Sequence, residues 1–125
     1  MSDRVKIYQV GDFIRMTESG ELDRDRSIKI VRDLATAANF HKDHNILLDL
    51  RETDSQASMH DLIDIAMEFA TYHELFRNKI AVLIPNTEER LQLANRFKAC
   101  MDLQGFQFEK FSDFEAAIEW LAWVR

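Results

Sequence analysis

This sequence predicts an α/β fold with a mixed, mostly parallel sheet, and three observations carry that prediction. Two apolar runs, "NILLDL" (45–50) and "KIAVLIP" (79–85), lack polar alternation, as strands covered on both faces do. Four other stretches repeat apolar residues at helical spacing. Capping and stopping residues fall where the two patterns meet.

The elements follow in chain order. "VKIYQVGDFIRMT" (5–17) contains Gly11-Asp12, a pair able to take positive φ and close a two-residue turn, so it predicts an N-terminal hairpin of two antiparallel strands. Ile28, Val31, Leu34, Ala35 and Ala38 form one stripe and predict the first helix. The central strand 45–50 comes next. Ser58 stands where it can cap a second helix over 59–76, whose stripe is Met59, Leu62, Ile63, Ala66, Phe69, Ala70 and His73. The strand at 79–85 is followed by Asn86 or Thr87 as cap of a third helix, with stripe Leu91, Ala94, Phe97 and Met101 and a stop at Gly105. "FQFEKF" (106–111) alternates Phe with polar residues and predicts a last strand. Ser112 with Glu115 fits a capping box for a final helix with stripe Phe114, Ala117, Ile118, Leu121 and Val124. The order is β-β-α-β-α-β-α-β-α. Strands separated by helices need crossover connections and so a largely parallel sheet, to which the hairpin adds an antiparallel part.

The length of 125 residues suits a single domain over 1–125. The chain carries 16 basic and 22 acidic side chains, a net charge of −6, which speaks against a nucleic-acid surface and against docking on anionic lipid. Cys100 is the one cysteine, so no intrachain disulfide and no cysteine metal cluster is expected, and a reducing, cytoplasmic setting is the simplest one. "MSDRVKIYQV" has no long apolar core of a signal peptide, and no run approaches the roughly 18 residues of a membrane span. Three isolated glycines make no phosphate-binding loop, and nothing indicates a cofactor.

Two candidate sites stand out. Ligands of open α/β sheets bind beyond the carboxyl ends of strands, which groups Asp49, Arg51, Glu52, Ser55, Ser58 and Pro85 on one rim. An Asp next to an Arg is also an ordinary ion pair. The helix over 59–76 is apolar over more than half its circumference, where an amphipathic surface helix needs a stripe of a little over 100°. Met59, Ile65, Phe69, Tyr72 and Phe76 there, with Trp123 of the last helix, are candidates for an apolar pocket or an interface. Burial between the sheet and a neighbouring helix explains the same width. Trp123 lies opposite Phe114 and Leu121 and is either a folded-back end or an interface anchor.

The remaining chemistry is thin. His73 falls on the apolar face of its helix and fits a buried neutral histidine. His60 and Asp64, four apart, share a polar face that could hold a metal weakly, with a solvated face the favoured reading; "HKDH" (41–44) puts two histidines in a loop without the helical spacing that fixes ligand geometry, and no metal is assigned. Cys100 lies mid-helix with no cue for thiolate activation.

"ESGELDRD" (18–25), "NILLDLRE" (45–52), "NKIAVLIPN" (78–86) and "FEKFSDFEAAIEWL" (108–121) together resemble the STAS fold of anti-anti-sigma factors, and more closely the SpoIIAA-like family that shares it and is often grouped with CRAL-TRIO-like domains. In that family the first of these stretches is a small turn between the second strand and the first helix. The resemblance implies a βα-superhelical sandwich and a small cytoplasmic bacterial protein without established enzymatic activity. It suggests binding of a protein partner or a small apolar ligand. In STAS anti-anti-sigma factors a phosphorylated serine follows an Asp-Ser step and opens the second helix. Asp54-Ser55 and Ser58 stand near that place, but "LRET" (50–53) is shorter and more polar than the apolar segment of that pattern, and no glycine follows the serines. Ser58 as a helix cap and Ser55 as a turn residue is the favoured reading.

The expectation is therefore a non-catalytic binding module for a protein partner or a small apolar ligand, without nucleic acid or membrane insertion, with a homodimer as a further expectation. The alternatives are a phosphorylation switch at Ser58 or Ser55, and a small hydrolase using Asp49 or a histidine.

Overall fold

The computed structural model describes residues 10–123. Its elements are β1 (Phe13–Leu22), α1 (Arg24–Phe40), β2 (Asn45–Ser55), α2 (Met59–Thr71), a 3₁₀ turn (His73–Leu75), β3 (Ile80–Leu83), α3 (Glu88–Leu103), β4 (Phe108–Phe111) and α4 (Phe114–Ala122). The four strands form one sheet in the order β1-β2-β3-β4, every neighbouring pair parallel. The strand expected before Gly11 and the hairpin it would close lie outside the described residues, as does Val124 of the last stripe.

Strand pleating divides the core in two, because successive side chains point to opposite faces. Ile46, Leu48, Ile80, Val82 and Phe108 face α1, α2 and α3, where Val31, Leu34, Phe69 and Met101 cover them. Leu47, Ala81 and Leu83 face the other way and pack against Ala117 and Leu121 of α4. Three crossover helices on one face are what same-handed βαβ connections in a 1-2-3-4 sheet produce. Every residue of β3 is buried, so "IAVLI" is the doubly covered strand its unbroken apolar run predicts.

Two strands run further than expected. Glu18–Leu22 belongs to β1, so "ESGELDRD" is not a turn over its length; Asp23 alone separates strand from helix and caps α1, accepting the Arg26 N–H at 2.7 Å. β2 likewise continues through "RETDS" to Ser55. Its pairing with β3 ends at Asp49, and beyond that point it pairs with β1 alone. A two-stranded ribbon projecting past its neighbour has one open edge, and this is why its residues are polar while its backbone is extended. The register with β1 slips by one between Thr17 and Ser19, a bulge that places Leu50 and Arg51 opposite Glu18. The Asp49 carboxylate accepts the Arg51 N–H at 3.1 Å and Thr53 Oγ1 donates to the Leu50 carbonyl at 2.6 Å, tying the bulge from both sides.

The second helix ends at Thr71 rather than 76. Seven residues along a continuous helix rise about 10 Å, whereas the turn after Tyr72 brings the Phe69 and Phe76 rings to 5.0 Å, edge to face. His73 consequently sits exposed in the 3₁₀ turn, its Nε2 3.2 Å from the Gln104 carbonyl, and not on a buried helix face. The last helix is capped by Asp113, whose carboxylate accepts the Ala116 N–H at 3.0 Å; the Ser112–Glu115 box does not form, because the helix starts one residue later than that box requires. Thr87 caps α3. At its end Gly105 takes φ +83°, and the Gly105 and Phe106 N–H groups close back on the Asp102 and Met101 carbonyls.

Candidate functional site: an apolar cavity beside a polar cleft

The helices over β2 and β3 do not close completely. They leave a cavity of about 120 Å³ near the carboxyl ends of the strands. Leu48 and Val82 form its floor; Val31 of α1, Ile65 and Phe69 of α2 and Phe97 of α3 form its walls. Two charged side chains, Arg90 and Lys110, also line it. Lys110 is answered by Glu109 at 3.3 Å.

Arg90 is placed differently. It lies in the first turn of α3, one helical turn before Ala94 on the stripe that continues to Phe97 and Met101, so its stem points inward. It is 9% exposed. Its Nη1 donates to the Thr53 carbonyl at 2.6 Å and its Nη2 to Thr53 Oγ1 at 3.1 Å. Burial pushes its pKa below the usual guanidinium range, with Asp54 opposing weakly. Thr53 reaches it because the bulge in β2 turns that residue inward, where it is buried. Leu91, expected on the core stripe, is exposed, and Arg90 occupies the inward position instead. Extending the Ala94–Phe97–Met101 period back by one turn lands on Arg90. That signal was present in the sequence, but the charge argued for a surface place.

Arg51, Glu52, Ser55 and Pro85 come together along an open polar cleft beyond the strand ends, with Arg90 as the shared wall between cleft and cavity. Asp49 and Ser58 are not in it. Asp49 points to the α4 face, buried, and its two oxygens accept from Arg51 Nε at 3.0 Å and Nη2 at 2.8 Å, with Arg15 at 3.8 Å. The Arg51 hydrogen bonds hold its pKa below the ordinary value against the opposing effect of burial. This is a fork-shaped ion pair supporting the bulge, and it leaves Asp49 badly placed to act as a base. Ser58 caps α2 in a full capping box: its Oγ accepts the Asp61 N–H and its own N–H donates to Asp61, both at 3.1 Å. Ser55 is half-buried and lines both cavity and cleft.

The apolar candidates between 59 and 76 separate into three groups. Ile65 and Phe69 line the cavity. Phe76 is buried and Tyr72 half-buried against the same core. Met59 is exposed and continues outward as Met59, Ile63 and Met67, at 48%, 46% and 61% exposure. The width of the helix follows from its position between α1 and α3 above the sheet, plus that outer stripe. Trp123 is exposed at the other end of the molecule, where Lys79 lies over the Trp120 and Trp123 rings at 5.3 and 5.9 Å and donates to both their carbonyls. A lysine on the last carbonyls of α4 is a helix-end cap.

Among the described residues no three histidine, cysteine or acidic side chains converge as a metal site would require. His60 stands 3.4 Å from Asp64, whose carboxylate is already held by Arg24 at 2.8 Å. The His41 and His44 rings are 4.9 Å apart, and His44 Nδ1 is buried without a hydrogen bond. Cys100 is half-buried at the edge of the core. Among the described residues no helix is long and apolar enough to cross a membrane. The chain matches no family model, no curated protein and no solved structure.

Proposed function

We propose that this chain is a non-catalytic binding module of SpoIIAA-like, STAS-type fold, working in a bacterial cytoplasm, and that its ligand is a small apolar molecule held between the helix layer and the sheet. One observation carries this reading: a 120 Å³ apolar cavity bounded by all three crossover helices. The cavity opens toward solvent near the strand ends, and apolar walls of this kind take up molecules the size of benzene.

The test is a titration with 1-hexanol followed by methyl NMR. Saturable shifts confined to Ile65, Val31, Val82 and Leu48 are expected. Their absence, or shifts spread evenly over the surface, ends this reading.

A second reading, an interface with a protein partner or a second copy, is favoured by the exposed Met59–Ile63–Met67 stripe, which spans about 12 Å of helix. Native mass spectrometry of protein from its own host separates the readings: a small apolar adduct, a dimer or partner mass, or a phosphate adduct that would instead favour a switch at Ser58 or Ser55.

A further inference from the structure

We infer that the cavity's ligand carries a single negative charge, a carboxylate on a short apolar body, and that Arg90 is its counter-charge. This rests on the cavity being a ligand site.

Arg90 is a buried cation without a paired anion; Asp54 favours its charge only from beyond ion-pair distance. Among the described residues no carboxylate pairs with it, and its two hydrogen bonds go to neutral oxygens of one residue, Thr53. A guanidinium has five N–H donors, so the two bonds to Thr53 leave it able to donate to a further acceptor. Removing such a charge from water costs several kcal/mol unless a partner of opposite sign replaces the lost hydration. The first turn of α3 is the positive end of its dipole, which Glu88 and Glu89 in the same turn offset. Packing alone would be served better by Leu or Met, because position 90 continues the core stripe of Ala94, Phe97 and Met101. Burial and the missing pair are relieved by the same thing, an anion at the guanidinium.

The surroundings narrow that anion. Arg90 lines the apolar cavity, so the charged group has a hydrocarbon attached. The cleft on its other side is bordered by Glu21, Glu52, Asp54, Glu88 and Glu89, all exposed, against Arg51. That ring repels phosphates and other multiply charged anions most strongly. A monocarboxylate is the anion it opposes least, and a planar carboxylate matches the guanidinium fork. Because the ring is solvent-exposed and Arg90 is buried, salt screens the repulsion more than the attraction. Affinity for a carboxylate ligand should therefore hold or rise with added salt.

The experiment compares hexanoate, 1-hexanol and hexylamine on the intact protein near neutral pH, by methyl NMR titration. Hexanoate is expected to bind about tenfold or more tightly than 1-hexanol, the size of one charge-assisted hydrogen-bonded pair. Arg90→Gln should erase that preference, so that hexanoate no longer binds more tightly than 1-hexanol. Arg90→Lys keeps the charge but loses the fork, so it should retain part of the preference. Should neither variant fold, the wild-type comparison decides alone. Equal affinity for hexanoate and 1-hexanol, or preference for the amine, overturns the carboxylate inference while leaving the apolar cavity reading intact. Failure of all three to bind overturns both.

Discussion

At the scale of single residues, the rim is a set of structural ties and one unanswered charge. Asp49 shows the first kind. Its folded pKa is depressed, chiefly by Arg51, so the stability it contributes is present above its ordinary value of 3.8 and is lost as pH falls through the lower folded value. Asp49→Asn is expected to lower stability by about 1–2 kcal/mol near neutral pH and to flatten the acid limb of the stability curve. Urea unfolding at neutral pH and at pH 3 would show it; an unchanged acid limb would remove Asp49 from the account. Ser58→Ala should cost about 1 kcal/mol, the loss of one cap, and leave 1-hexanol affinity untouched. A loss of binding without loss of stability would return Ser58 to the functional rim.

At the scale of elements, α3 and the β1–β2 ribbon matter most. α3 carries Ala94 and Phe97 on the cavity wall and Arg90 at its rim, so its inner stripe combines packing with a site. Ala94→Leu should part the two: filling the space is expected to raise stability by about 0.5–2 kcal/mol and to abolish 1-hexanol binding. If the variant gains stability and still binds, the guest sits elsewhere. The stop of α3 is simpler. Gly105 has φ +83° with open space where a Cβ would lie, so Gly105→Ala meets backbone strain alone and should cost about 1 kcal/mol in thermal or urea unfolding. The first ribbon residues, by contrast, looked like loop because their polar side chains break the apolar run. Period alone could not place them, since a strand open on one edge and a polar turn share the same composition.

At the scale of the whole molecule, two cores share one sheet. Leu47 and Leu48 are neighbours in β2, yet one belongs to the α4 side and the other to the three-helix side. Losing either layer exposes the sheet that supports the other, so a single cooperative transition is expected. Trp120 and Trp123 both lie at the α4 end and report that layer, while far-UV circular dichroism reports every helix. Coincident urea curves from the two probes are the expected result. A fluorescence transition preceding the dichroism would show that α4 detaches independently.

The sequence by itself determined the alternation of strands and helices from Phe13 onward, the buried run of β3, the inward stripe of α1, and the Ser58 and Gly105 boundaries, while it left Asn86 and Thr87 both open as the cap of α3. These are local properties, set by side-chain period and by the few residues that satisfy helix ends. Only the tertiary structure decided which face each strand residue serves. It sent Asp49 to the α4 side, carried β2 past its neighbour as a bulged ribbon, and brought Thr53 to Arg90 across 37 positions of chain. Such a meeting depends on register and on which helix covers which face. No local period contains that information, because a one-residue slip at a bulge exchanges the two faces of a strand.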